Sequence, residues 1–146
     1  MANLTMELAK KLVSEHVTEP HLIEHALAVS AAMGAMAAHF GADEAYWSAV
    51  GYAHDVDYEK WPEEHLQHTR PILEEADVDE ETIRAILAHG WGCCCDVEPV
   101  TDLEKSYQGS FEIQDCPDRF RKDILGWLAA TEPRPELDNQ WTYFMT

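Results

Sequence analysis

A chain of 146 residues with 46% hydrophobic content is long enough to bury a core as one domain without disulfides or obligatory assembly, so a monomer or homodimer is expected. Its 28 acidic residues against 10 basic ones give a formal charge of -18, and a surface of that sign repels nucleic-acid backbone and anionic membrane alike. Neither is expected as a partner, and a small phosphorylated substrate would need local positive charge to be held.

The opening MANLTMELAKK has no apolar signal core followed by a cleavage site, and a cytoplasmic location is the expectation. Thr5 is placed to cap a first helix that carries Leu8, Leu12 and Val13 on one face. Glu19-Pro20 opens a second helix, since proline suits the first turn, and Gly41 stops it. The most apolar part, Ala26 to Phe40, is interrupted by Ser30 and Gly34 and falls short of the ~18 residues of a membrane span. Asp43 caps the third helix. That helix should end near His54-Asp55, because Val56 to Pro62 contains β-branched and aromatic residues and a proline. A fourth helix from Leu66 to Ala76 and a fifth from Glu80 to His89 flank a turn at Asp77-Val78-Asp79, with Ile72, Leu73, Ile83, Ile86 and Leu87 as their core face. The run Cys93-Cys94-Cys95 is badly placed to bridge within itself and has no CxxC spacing; with Cys116 it reads as reduced thiols. Thr101 caps a sixth helix containing Leu103. Cys116-Pro117 begins a last one with Phe120, Ile124, Trp127 and Leu128 at helical spacing. No convincing strand occurs, and the fold class is all-α.

Four of the eight histidines, with Asp55 beside one of them, fall in an order that points to a metal site. His25 lies about 16 residues before the turn at Gly41-Ala42 and His54 about 13 after it, so antiparallel packing at ~1.5 Å per residue brings the two level. The same construction sets His68 level with His89 across the turn at Val78. Adjacent His54 and Asp55 project about 100° apart on a helix and can share an ion only where the helix ends. Imidazoles with a carboxylate suit Mn, Fe, Ni or Zn as divalent ions, with positions left open for water. His65, three residues before His68, reads as a surface residue.

The segments HLIEHALAV, AHDVDYEKWPEEH, IRAILAHG and DLEK, within roughly residues 8 to 105, resemble the HD-domain metal-dependent phosphohydrolases, in particular their small single-domain bacterial members. The resemblance implies an HD-type helical bundle over residues 1–105, with a divergent segment at 106–146. His25, His54 and Asp55 match metal ligands of that family. His68 and His89 match histidines that hold a second ion or line the substrate pocket. The family's remaining ligand is an aspartate on the helix after DLEK, and its position is taken here by Phe111, with Glu112 and Asp115 as nearby carboxylates.

The activity implied by the resemblance is hydrolysis of a phosphate ester or anhydride, the substrate a small nucleotide, by water made more acidic on one or two divalent ions. Asp55, His68, His89 and Lys60 would then act on the substrate, with Arg70 and Arg84 as further sources of positive charge. Two other expectations stand beside this one: a degenerate non-catalytic domain that binds metal or ligand, which Phe111 favours, and a di-iron oxygenase, which demands a complete second-metal set.

Overall fold

Threonine and aspartate at the predicted caps set the helix starts. Thr5 accepts a hydrogen bond from the Leu8 amide at 3.2 Å and Asp43 from the Tyr46 amide at 3.1 Å, each satisfying a donor that has no partner inside its own helix. Thr101 and Glu104 form a capping box: the Thr101 hydroxyl accepts from the Glu104 amide at 3.1 Å, and the Glu104 carboxylate accepts from the Thr101 amide at 3.2 Å. Gly41 closes its helix at φ 67°, a left-handed conformation that costs glycine nothing.

The computed structural model describes residues 3–91 and 94–105, and their regular elements are all helical. They are α1 (Met6–His16), α2 (Pro20–Phe40), α3 (Glu44–Ala53), a 3-10 turn (Pro62–Glu64), α4 (Thr69–Glu75), α5 (Glu80–Ala88) and α6 (Asp102–Lys105). The result is a single all-α domain. Cys93, Phe111, Glu112, Asp115 and Cys116, with the expected last helix and the rest of segment 106–146, lie outside the described residues. Cys94 and Cys95 are not in a disulfide, and the Cys95 thiol donates to the Leu87 carbonyl at 2.8 Å.

The centre of the fold is the antiparallel pair of α2 and α3, against which α1 and α5 also pack. Met33, Val50, Val56, Leu73, Ile83 and Ile86 are each under 2% exposed, and burial of side chains this size stabilises by roughly 1.5–3 kcal/mol apiece. Small residues let the two central helices approach closely. A Cβ on Gly51 would lie 2.8 Å from the Val29 carbonyl oxygen and 2.9 Å from Met33 Cγ, and the Ser30 hydroxyl donates to the Ser48 carbonyl at 2.8 Å across the same seam. Contrary to the expectation from Ser30 and Gly34, the 19-residue stretch Pro20–Ala38 is long and apolar enough to cross a membrane by length and composition. In the fold 56% of it is buried, chiefly by this helix pairing.

One predicted boundary moves. The fourth helix begins at Thr69 rather than Leu66, because Leu66 has φ 72°. A leucine in the left-handed region is strained, and burial of its side chain offsets the strain. Leu66 is 5% exposed and fills the space where a Cβ on Gly90 would lie 2.2 Å from its Cδ1. This reversal of the chain between His65 and His68 decides the composition of the site.

Candidate metal centre

The close seam between α2 and α3 delivers two histidines to one point. His25, on the second turn of α2, and His54, at the C-terminal end of α3, place their Nε2 atoms 3.1 Å apart. The helix stops at Ala53, and the chain continues as consecutive turns through Lys60. Asp55 therefore leaves the helix direction, and its carboxylate swings to the same point, with Oδ2 3.2 Å from His25 Nε2 and 3.1 Å from His54 Nε2. On the other side of that carboxylate, Oδ1 lies 3.2 Å from His65 Nε2 and 3.3 Å from His89 Nε2, and these two nitrogens are 3.1 Å apart. Four imidazoles thus converge in two pairs on the two oxygens of Asp55. Its side chain keeps 23% exposure where His54 keeps 6%, so Asp55 is the more solvent-facing of the two.

Hydrogen bonds on the far side of the rings fix what faces inward. His54 Nδ1 donates to the Gly51 carbonyl at 2.7 Å, His89 Nδ1 to the Ile86 carbonyl at 2.5 Å and His65 Nδ1 to the Asp57 carboxylate at 2.8 Å. A carbonyl or carboxylate oxygen can only accept, so whenever one of these three rings is neutral its proton sits on Nδ1 and its Nε2 lone pair points at Asp55. Lone pairs and carboxylate oxygens packed about 3 Å apart repel one another unless a cation lies between them. The donor set fits divalent transition metals: His25, His54 and Asp55 form one group able to hold an ion, and Asp55, His65 and His89 form another.

Without a metal ion, protons on the imidazoles take the cation's place beside Asp55. Burial alone would raise the Asp55 carboxyl, but the neighbouring His54 charge and hydrogen bonds from His25, His54 and His65 outweigh it and hold Asp55 well below the usual carboxylate range. Burial pushes His54 the other way, toward the neutral form that ligates metal. His65 is pushed up to about 9: burial opposes its charge, and the hydrogen bonds to Asp55 and Asp57 prevail.

The acids of the HDVDYE segment alternate and do separate jobs. Asp55 sits in the cluster. Asp57, fully buried, accepts from His65 Nδ1 and from the His68 amide at 3.1 Å. Glu59 accepts from the Thr18 amide at 2.9 Å, the Thr18 hydroxyl at 3.1 Å and the Glu19 amide at 2.7 Å. Glu19 is the N-cap of α2 and makes no side-chain cap of its own, so Glu59 fastens the start of the helix that carries His25.

Of the residues expected at the site, the structure brings together His25, His54, Asp55 and His89. It does not bring His68. That residue precedes α4 instead of riding on it, stacks on Trp61 with ring centroids 4.0 Å apart, and hydrogen-bonds Glu64 at 2.7 Å. His65, read from sequence as surface, stands in the cluster, because the left-handed turn at Leu66 sends His65 inward and His68 outward. Lys60 Nζ lies 3.5 Å from the Glu15 carbonyl. Arg70 is paired with Glu80 at 2.7 Å, and Arg84 with Glu104 at 3.1 Å and the Glu98 carbonyl at 2.7 Å, so these three cations are engaged with the protein itself. Sequence reasoning also missed Asp57. The signal available was the alternation Asp55, Asp57, Glu59 in a stretch already expected to be irregular, where each acid needs a partner.

Family models, curated proteins and solved structures were compared with the chain, and none matches.

Proposed function

We propose that the chain is a metal-dependent phosphohydrolase of the HD type, acting on a small phosphate ester or anhydride at a two-ion centre. The observation that carries the reading is the convergence of four histidine Nε2 atoms, within 3.3 Å, on the two oxygens of the Asp55 carboxylate. His25 and His54 would hold one ion, His65 and His89 the other, and Asp55 would bridge them. Bound divalent ions supply polarisation of a phosphoryl oxygen and a more acidic water near neutral pH. The protein's own contribution is to keep His54 neutral, Asp55 ionised and the rings of His54, His65 and His89 each oriented by a fixed acceptor behind it. Because Lys60, Arg70 and Arg84 are engaged elsewhere, phosphate charge falls on the ions. A single phosphoryl group suits such a site better than a polyphosphate chain.

A di-iron oxygenase is the second reading, favoured by the same paired arrangement, since it needs a full set of ligands on both sides of Asp55. Elemental analysis of the purified protein, followed by assays of phosphate release with Mn or Zn and of oxygen consumption with ferrous iron, decides between them. Two ions per chain with phosphate release support the proposal. Oxygen consumption alone favours the second reading, and a chain that takes up no metal removes both.

A further inference from the structure

The buried Asp57 is not one of the converging groups, yet its geometry ties it to one of the four imidazoles. We infer that Asp57 is a positioning residue: it selects the His65 tautomer that presents a lone pair to the second ion and locks that ring at the cluster, so the His65–His89 side of Asp55 depends on it and the His25–His54 side does not. The inference rests on the two-ion reading above and adds to it the control of one half.

Four observations carry it. His65 differs from His54 and His89 in where its Nδ1 bond goes. The other two donate to carbonyls three residues back in their own helices, so any helix that ends there orients them. His65 follows a 3-10 turn and has no helix of its own to supply that acceptor. Its Nδ1 is held at 2.8 Å by the carboxylate of Asp57 instead. The second oxygen of Asp57 accepts from the His68 amide at 3.1 Å, so one fully buried side chain grips the chain on both sides of the strained Leu66. A carboxylate has acceptors only, which leaves one arrangement for the proton of the neutral, ligating His65 ring: on Nδ1, away from the cluster. An asparagine of the same shape also offers an amide donor. It can turn that donor toward Nδ1 and leave the ring proton on Nε2, facing the ligand position.

The test is Asp57→Asn with cobalt(II) as the sole metal, read by ions bound per chain in equilibrium dialysis and by the visible absorption of each bound ion. The wild type is expected to bind two ions. Asp57→Asn is expected to bind the first with native affinity and the second about 10- to 100-fold more weakly. In a His65→Ala background, Asp57→Asn is expected to add nothing, because the ring through which it acts is gone. A variant that binds both ions as tightly as the wild type overturns the inference, as does further weakening in the His65→Ala background. Imidazole nitrogen shifts of the metal-free wild type, taken at a pH high enough for the His65 ring to be neutral, test the same point without a substitution: a proton on Nδ1 supports it, and a proton on Nε2 overturns it. A wild-type chain that binds no cobalt overturns the two-ion reading itself, an outcome distinct from two ions bound by both proteins.

Discussion

The two sides of the Asp55 carboxylate are built differently. On the Oδ2 side, His25 and His54 belong to two regular helices locked by a close seam, and each ring arrives by helical register. On the Oδ1 side, His89 also ends a helix, but His65 comes from a loop shaped by a leucine at φ 72° and held by a buried aspartate. Regular structure places a ligand through the spacing of residues. Irregular structure places it through specific hydrogen bonds, and a single change can undo one.

The largest effect is expected where the two sides meet. Asp55→Asn removes the charge that faces all four imidazoles, and metal content should fall from two ions to none, with affinity losses beyond about 100-fold on both sides. Retention of one tightly held ion would show that the halves do not share this carboxylate. Next come the single-side ligands. His65→Ala should lose one ion and, because it strips the fully buried Asp57 of a hydrogen-bond donor, destabilise the fold by about 1–3 kcal/mol. His54→Ala should lose the other and also destabilise the fold on the order of 1–3 kcal/mol, since His54 is buried and bonded to the end of α3. Loss of both ions, or of neither, from either variant would contradict the division of ligands between the two sides of Asp55.

A packing change reaches the Oδ2 side from a distance. Gly51→Ala forces a methyl against the Val29 carbonyl, and α2 must move away from α3. Overpacking of this kind costs about 1–3 kcal/mol. The displacement should weaken the ion held by His25 and His54 while the ion at His65 and His89 keeps its affinity, a split readable by metal titration. Glu59→Gln acts more mildly on the same helix. The amides of Glu19 and Thr18 hold the Glu59 carboxyl below its ordinary range. A depressed pKa means that its contribution is complete above the ordinary glutamate value and is lost as pH falls through the lower folded value. The melting temperature of Glu59→Gln should therefore lie below that of the wild type at neutral pH, and the gap should close in acid. A gap that widens in acid would reverse the assignment.

What was legible in the sequence obeys the same division. Caps at Thr5, Asp43 and Thr101, the stop at Gly41, and the level pairing of His25 with His54 are consequences of local chemistry and a fixed rise per residue, and the structure has each of them. His89 was legible because it closes an amphipathic helix with a clear core face. The exchange of His65 for His68 was not. Level pairing of His68 with His89 assumed that a helix begins at Leu66, and no propensity announces a leucine in the left-handed region. Only tertiary burial of that side chain against Gly90 offsets the strain of the conformation. Asp57 was hidden for a related reason: its partners lie in a loop whose path no periodicity predicts.

The smallest expected effect is the sharpest test of that exchange. His68→Ala removes the stack on Trp61 and the hydrogen bond to Glu64, a side chain that is 57% exposed. An exposed pair of this kind contributes at most about 1 kcal/mol, and an offset ring contact about as much. The backbone amide that bonds Asp57 survives the substitution, so the His65 ring should stay where it is. Stability should drop by about 1 kcal/mol, and both ions should remain bound with native affinity. If His68→Ala instead loses an ion while His65→Ala keeps two, the loop runs the other way in solution. The register that places His68 on a helix facing His89 would then be the correct one.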